Sequence, residues 1–150
     1  MAKRKSLKTD PCPVARALDV IGERWSLLIV RDAVDGMRRF GEFQKSLGVA
    51  KNILADRLHM LVEEGIFTIA PASDGTAYQE YVLTHKGLGL FPVVVGLRQW
   101  SEAQLFEPGE AHSTLLQRGS GLPVRRMDVL AEDGRVLQAG DTVVHKVSPP

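Results

Sequence analysis

Residues 39–65 read RFGEFQKSLGVAKNILADRLHMLVEEG, from Arg39 to Gly65. Phe40, Phe43 and Leu47 recur at helical spacing and predict the apolar face of a helix over about Arg39–Leu47. Gly48 supplies a turn and Val49 plugs it. Leu54, Leu58 and Leu61 then predict the buried face of a second helix over about Ala50–Glu64, which Gly65 ends. Helix, short Gly-containing turn, helix is the helix-turn-helix pattern. The exposed start of its second helix carries Lys51 and Asn52. A helix that packs by one face and offers polar, bidentate-capable groups at its N-terminal end is built to enter a DNA groove.

The flanks extend this pattern in both directions. Upstream, Pro13 suits the first turn of a short helix over Val14–Val20. A second helix follows over Glu23–Val34, with Trp25, Leu28 and Ile29 on one stripe, and Gly36 stops it. Downstream, Ile66–Ala70 and Ala77–Leu83 flank the loop Pro71–Thr76, with Asp74-Gly75 at its centre. That is a β-hairpin signal, and a hairpin directly after a recognition helix is a wing. Thr84 caps a long helix over about His85–Phe106, in which Pro92 predicts a kink or a break. Leu88, Phe91, Val95, Leu97 and Trp100 give this helix more large apolar residues than a small winged unit can cover, which points to a dimer interface. Glu107–Glu110 reads as a linker. Val124–Ala131 and Val136–Leu137 flank Glu132–Arg135 and predict a small β-hairpin extension. The expected class is α+β, mainly α. A disordered basic tail covers 1–10, a winged helix-turn-helix with its long dimerisation helix covers 11–107, and a small β-rich extension covers 108–150.

Composition narrows the function classes. A chain of 150 residues with one cysteine, Cys12, has no disulfide framework within it and no multi-cysteine zinc site. The start, MAKRKSLKTD, lacks the apolar stretch of a secretory signal, and the longest apolar runs are too short to cross a bilayer. A cytoplasmic setting with no membrane partner is expected. The net charge of +1 hides an asymmetry: residues 1–60 carry 12 Lys/Arg against 7 Asp/Glu, and residues 61–150 carry 7 against 11. Basic charge in the half with the helix-turn-helix fits a phosphate-facing surface. His59, His85, His112 and His145 have no metal-like spacing, and there is no nucleophile elbow. Gly87-Leu88-Gly89 lacks the third glycine of a phosphate loop. No acid–base pair stands out, so the reading is not an enzyme, with no metal and no cofactor.

The candidate contacts follow from residue type and place. Lys51 can donate to guanine and Asn52 can bond adenine through two atoms, unless both are only a solvated helix start. Arg38 and Arg39 enter the helix that crosses the DNA backbone, where arginines and a helix N-terminus suit phosphate. Lys45 and Ser46, before the turn, are candidates of the same kind. Arg57, nearly two turns into the second helix, either reaches a phosphate or pairs with a carboxylate on another element. The wing tip Ser73–Thr76 has no Lys or Arg, and Asp74 repels phosphate, so a minor wing contribution through Thr76 or Tyr78 is expected. Trp25 and Trp100 read as core or interface.

One family matches these features in order. CPVARALDVIGERWSLLIVRDAVDGMRRFGEFQKSLGVAKNILADRLHMLVEEGIF, then YVLTHKGLGLFPVVVGLRQW, is similar to the HxlR-type winged helix-turn-helix transcriptional regulators, a MarR-like group, from about Cys12 to Trp100. The Cys-Pro-Val start, Gly-x-x-Trp, Arg-Arg-Phe, Arg-Leu-x-x-Leu and Tyr-x-Leu-Thr-x-x-Gly carry the resemblance. It implies a bacterial, cytoplasmic homodimer on a pseudo-palindromic operator in double-stranded DNA, more often a repressor, with the first and last helices at the interface. It also implies release by an oxidant or a small-molecule effector. In some members a cysteine at the place of Cys12 senses oxidants; here Arg16 and a helix start favour a thiolate, while an inert cysteine near the interface is the alternative. Residues 111–147 resemble the C-terminal extension of long members, but without their cysteines, so apolar packing alone should hold the segment. A winged helix used only for protein interaction is the competing function.

Overall fold

Local backbone chemistry sets the helix ends of this chain. In the computed structural model, which describes residues 5–148, Pro13 opens α1 (Pro13–Ile21). The Glu23 carboxylate accepts from the Trp25 N–H at 3.0 Å and starts α2 (Arg24–Val34). Before α3 (Phe40–Leu47), Glu42 reaches back to accept from the Arg38 and Arg39 N–H groups at 3.1 and 3.0 Å. These bonds satisfy donors that a helix start leaves free. Gly48, at φ 64°, then turns the chain in the left-handed region into α4 (Lys51–Glu63).

The apolar faces of α2, α3 and α4 meet in one core. Ile29, Val30, Phe43, Leu54, Leu58 and Leu61 are fully buried, with Val49 in the turn and Ile66 and Phe67 beneath. Each such side chain contributes roughly 1.5–3 kcal/mol by leaving water. β1 (Phe67–Pro71) and β2 (Gln79–Leu83) form an antiparallel hairpin in register Phe67 with Leu83 and Pro71 with Gln79. Phe43, Phe67 and Tyr81 pack edge to face around one another at 6.3–6.5 Å, tying α3 to the hairpin. The Tyr81 N–H also donates to the Arg38 carbonyl at 2.7 Å.

Thr84 connects the hairpin to the last helices. Its hydroxyl donates to the Gly65 carbonyl and accepts from the Gly87 N–H. The long helix expected over His85–Phe106 is two: α5 (His85–Leu88) and α6 (Phe91–Gln104). The break falls at Gly89-Leu90, ahead of the proline. Pro92 is the second residue of α6, in the first turn, where its missing N–H leaves no gap.

Packing divides the described residues into two units inside α6, ahead of Glu107–Glu110: residues 5–94 with 146–148, and residues 95–145. The first holds the helix-turn-helix core and the hairpin. Of the basic tail expected to be disordered over 1–10, residues 1–4 lie outside the described residues. Residues 5–10 are turn and coil, with the Leu7 N–H on Asp19 Oδ1 at 2.9 Å. Residues 149–150 also lie outside them. In the second unit, the Gln99 amide bonds the Arg125 carbonyl at 3.2 Å and the Met127 N–H at 2.8 Å. Arg98 Nη1 bonds the Ser113 carbonyl and hydroxyl, each at 2.9 Å. These side chains fasten the extension to α6. The β-rich character expected of it is reduced to two isolated bridges, Leu116 with Pro123 and Leu130 with Val136, and a 3-10 turn at Ala139–Asp141. The second bridge does close around Asp133-Gly134, with Gly134 at φ 91°. A two-stranded pairing with both faces in water is marginal, so it does not propagate.

Candidate nucleic-acid interface

The first turn of α4 projects from the core by geometry alone. Leu54, Leu58 and Leu61 point inward, so Lys51, Asn52, Ala55, Asp56 and His59 point outward and are exposed. Neither Lys51 nor Asn52 makes a side-chain hydrogen bond or ion pair with another described residue. Lys45 and Ser46, at the end of α3, are exposed too. These four sit on either side of Gly48 and form one polar edge of the helix-turn-helix.

Arg57 is placed differently. Its Nε lies 3.2 Å from Glu23 Oε2, at the start of α2, and the side chain is about a third exposed. In this structure Arg57 is paired with a carboxylate on another element. It ties the middle of α4 to the cap of α2.

Arg38 and Arg39 lie at the start of α3, but both face the hairpin. Arg39 Nη2 is 2.5 Å from Asp74 Oδ2, and its guanidinium lies 5.0 Å from the centre of the Tyr78 ring. Arg38 Nη1 and Arg39 Nε are each 3.8 Å from a Glu80 oxygen. Glu80 is only 5% exposed and accepts from the Ser73 N–H at 3.1 Å. Asp74 is held down at about 2, first by the hydrogen bond from the Thr76 N–H, then by the Thr76 side chain and by Arg39. The Arg39 pKa is raised, chiefly by its bond to Asp74. Thr76 and Tyr78 are exposed. The wing has no cation of its own, yet Arg39 brings one to it from α3.

Glu80 escaped the sequence reading. As a charged residue in an alternating strand it reads as solvent-facing, and only its neighbours in space make it the anchor of the wing loop. The hint was Ser73 in the hairpin loop, whose N–H and hydroxyl both donate to it. Cys12 is exposed at the cap of α1, and its N–H bonds Asp10 Oδ1 at 2.8 Å. Arg16 Nε donates to the Asp10 carbonyl at 2.6 Å, so this part of the guanidinium is engaged there. Among the described residues no group of three metal-type side chains gathers, and no helix is long and apolar enough to cross a membrane.

A three-helix core with an exposed polar first turn on its last helix and a hairpin after it is the geometry of a DNA-reading winged helix. The model of the HxlR-like helix-turn-helix family matches residues 20–108. This chain belongs to that family. Its HxlR-like unit contains every site residue named above except Cys12. A crystal structure of PA1607, provisionally assigned as a transcription factor, is 57% identical, with a TM-score of 0.89 over 94% of this chain and 99% of that one. An uncharacterized HTH-type transcriptional regulator of Mycobacterium tuberculosis, Rv3095, is 46% identical over 95 residues, 63% of this chain and 60% of its own length. The chain therefore spans about three-fifths of that curated relative. The redox regulator HypR in its reduced form is 30% identical, with a TM-score of 0.58 over 63% of this chain and 94% of that one. The HxlR-like match stops at residue 108, so the extension is shared with PA1607 rather than with the family model.

Proposed function

We propose that this protein is a sequence-specific double-stranded DNA-binding transcriptional regulator that acts as a homodimer, as a repressor, on a pseudo-palindromic operator. The observation that carries the reading is the pair Lys51 and Asn52, exposed and uncommitted on the first turn of α4. Asn52 reads adenine, Lys51 donates to guanine, and Lys45 and Ser46 take backbone phosphates beside them. Arg39 takes a phosphate at the junction of α3 and wing by exchanging Asp74 for it, and Arg38 takes one beside it. Exposed Val14 on α1 supplies apolar surface for a second copy, and so, separately, do Leu97 and Trp100 on α6. A gel shift against the gene's own upstream region tests the reading. A discrete complex that unlabelled operator displaces and random duplex does not supports it; no specific complex there or in a genomic selection defeats it.

Release by an oxidant is the effector reading with a group behind it, because Cys12 is an exposed thiol and the similar HypR is a redox regulator. Operator affinity is compared with and without diamide, in wild type and Cys12→Ser. Equal affinity in all four samples removes Cys12 and leaves a small-molecule effector.

A further inference from the structure

The segment after α6 folds back on the helix and is pinned to it at two places. Arg98 Nη1 holds the Ser113 carbonyl and hydroxyl, and the Gln99 carboxamide bonds the Arg125 carbonyl and the Met127 N–H. The second pin copies one step of a parallel strand pairing, with Arg126 opposite the carboxamide. Between the two walls lies a cleft of about 350 Å³, lined by Gln99, Glu102 and Ala103 on α6 and by Val124 and Arg126 on the returning segment. The first three fall at i, i+3 and i+4, one face of a helix, and the last two at i and i+2, one face of an extended chain. All five belong to the unit 95–145. The volume is at the lower end of small-molecule sites, which run from about 300 to 1,000 Å³.

Two opposite charges line this cleft without pairing. Arg126 is exposed, and its side chain makes no hydrogen bond or ion pair with another described residue. The Glu102 side chain is only 30% exposed, and His112 Nδ1 lies 3.5 Å from its Oε2. That nitrogen is closer, at 2.8 Å, to the Ser113 carbonyl. A carbonyl only accepts, so Nδ1 carries its proton toward Ser113, and Glu102 is left without a hydrogen-bond donor among the described residues. A free guanidinium takes a carboxylate through two parallel bonds, and a carboxylate without a donor takes an ammonium. A simple anion on Arg126 would leave Glu102 unpaired, and a polyanion would be repelled by it. A molecule carrying both charges satisfies both walls, with Ala103 and Val124 in contact with its carbon atoms.

We propose that this cleft binds a small zwitterion of the α-amino-acid class, its carboxylate on Arg126 and its ammonium on Glu102. The Gln99 carboxamide fixes the backbone on either side of Arg126, so less freedom is lost on binding. The site goes beyond the regulator reading: neither DNA nor a second copy enters it, and Val124 and Arg126 lie past residue 108, where the HxlR-like match ends.

The full chain is titrated calorimetrically with each common L-amino acid as the probe, in the absence of DNA. At least one binds, and the backbone amide signals of Ala103, Val124 and Arg126 shift as it does. Arg126→Gln and Glu102→Gln, each checked for folding by circular dichroism, weaken that amino acid by about tenfold to a hundredfold, the scale of a hydrogen bond to a charged group. The same molecule without its amino group loses on wild type the factor that Glu102→Gln costs. No binding by any probe overturns the proposal. Binding that both variants keep puts the molecule elsewhere and overturns it too. Equal affinity for the acid without its amino group makes the cleft a simple anion site, which also overturns it. Because no DNA is present, each of these results leaves the operator reading to its own gel shift.

Discussion

Arg39 sits where α3 meets the wing, bonded to Asp74, stacked on Tyr78 and near Glu80. A carboxylate on a guanidinium occupies the place a phosphate takes, so the DNA contact proposed for Arg39 would be an exchange of anions. Asp74→Asn removes the competitor and is expected to raise affinity for operator and random duplex alike, several-fold, the scale of an exposed ion pair. Arg39→Ala is expected to flatten the salt dependence of binding, lowering its slope by about 0.9. A titration in which Asp74→Asn leaves affinity unchanged refutes the exchange. The acid side has a definite sign. The depressed Asp74 pKa makes the clasp fully present above the ordinary carboxylate value of 3.8, and it is lost as pH falls through about 2. In Arg39→Ala the carbon-13 titration of Asp74 should move up yet stay below 3.8, because the Thr76 N–H is the larger cause. Asn52→Ala should cost about 1–3 kcal/mol at one base position and relax specificity there. A uniform loss over all sequences makes Asn52 a phosphate contact instead.

At the scale of elements, the junction of α4, β1 and α5 is the tightest point. A Cβ on Gly87 would meet the Ile66 carbonyl oxygen at 2.2 Å, and both atoms belong to backbone that cannot swing aside. Gly87→Ala should therefore destabilise the fold by about 1–3 kcal/mol, as overpacking does; chemical denaturation followed by circular dichroism measures it. Leu54→Ala, in the fully buried row of α4, should cost about 2–5 kcal/mol. Both changes lower DNA affinity only as far as they unfold the protein, which separates them from Asn52→Ala. Helix boundaries in this region were readable within a residue or two, since glycines and apolar spacing mark them. The break between α5 and α6 was misplaced onto Pro92, because proline can start a helix as well as interrupt one, and spacing alone does not choose.

At the scale of the molecule, two recognition helices related by a two-fold should meet half-sites whose centres lie about 10 bp apart, or a multiple of that. Hydroxyl-radical footprinting on a selected operator checks the spacing. Protection of a single half-site with wild-type affinity would argue against a dimer on DNA. The extension had the turn chemistry of a hairpin and the apolar residues of strands, but among the described residues it makes only isolated bridges.

The sequence by itself determined the helix-turn-helix, the wing that follows it and the placement of Lys51 and Asn52 on an exposed turn. Those features rest on local periodicity and turn residues, which a chain carries wherever it goes. Only the tertiary structure decided the partners of the charged side chains. Arg57 went to Glu23, Arg39 to Asp74 and Tyr78, and Glu80 became a buried anchor for the wing loop. Ion pairs join residues far apart in the chain, at distances set by packing, and no spacing rule records them.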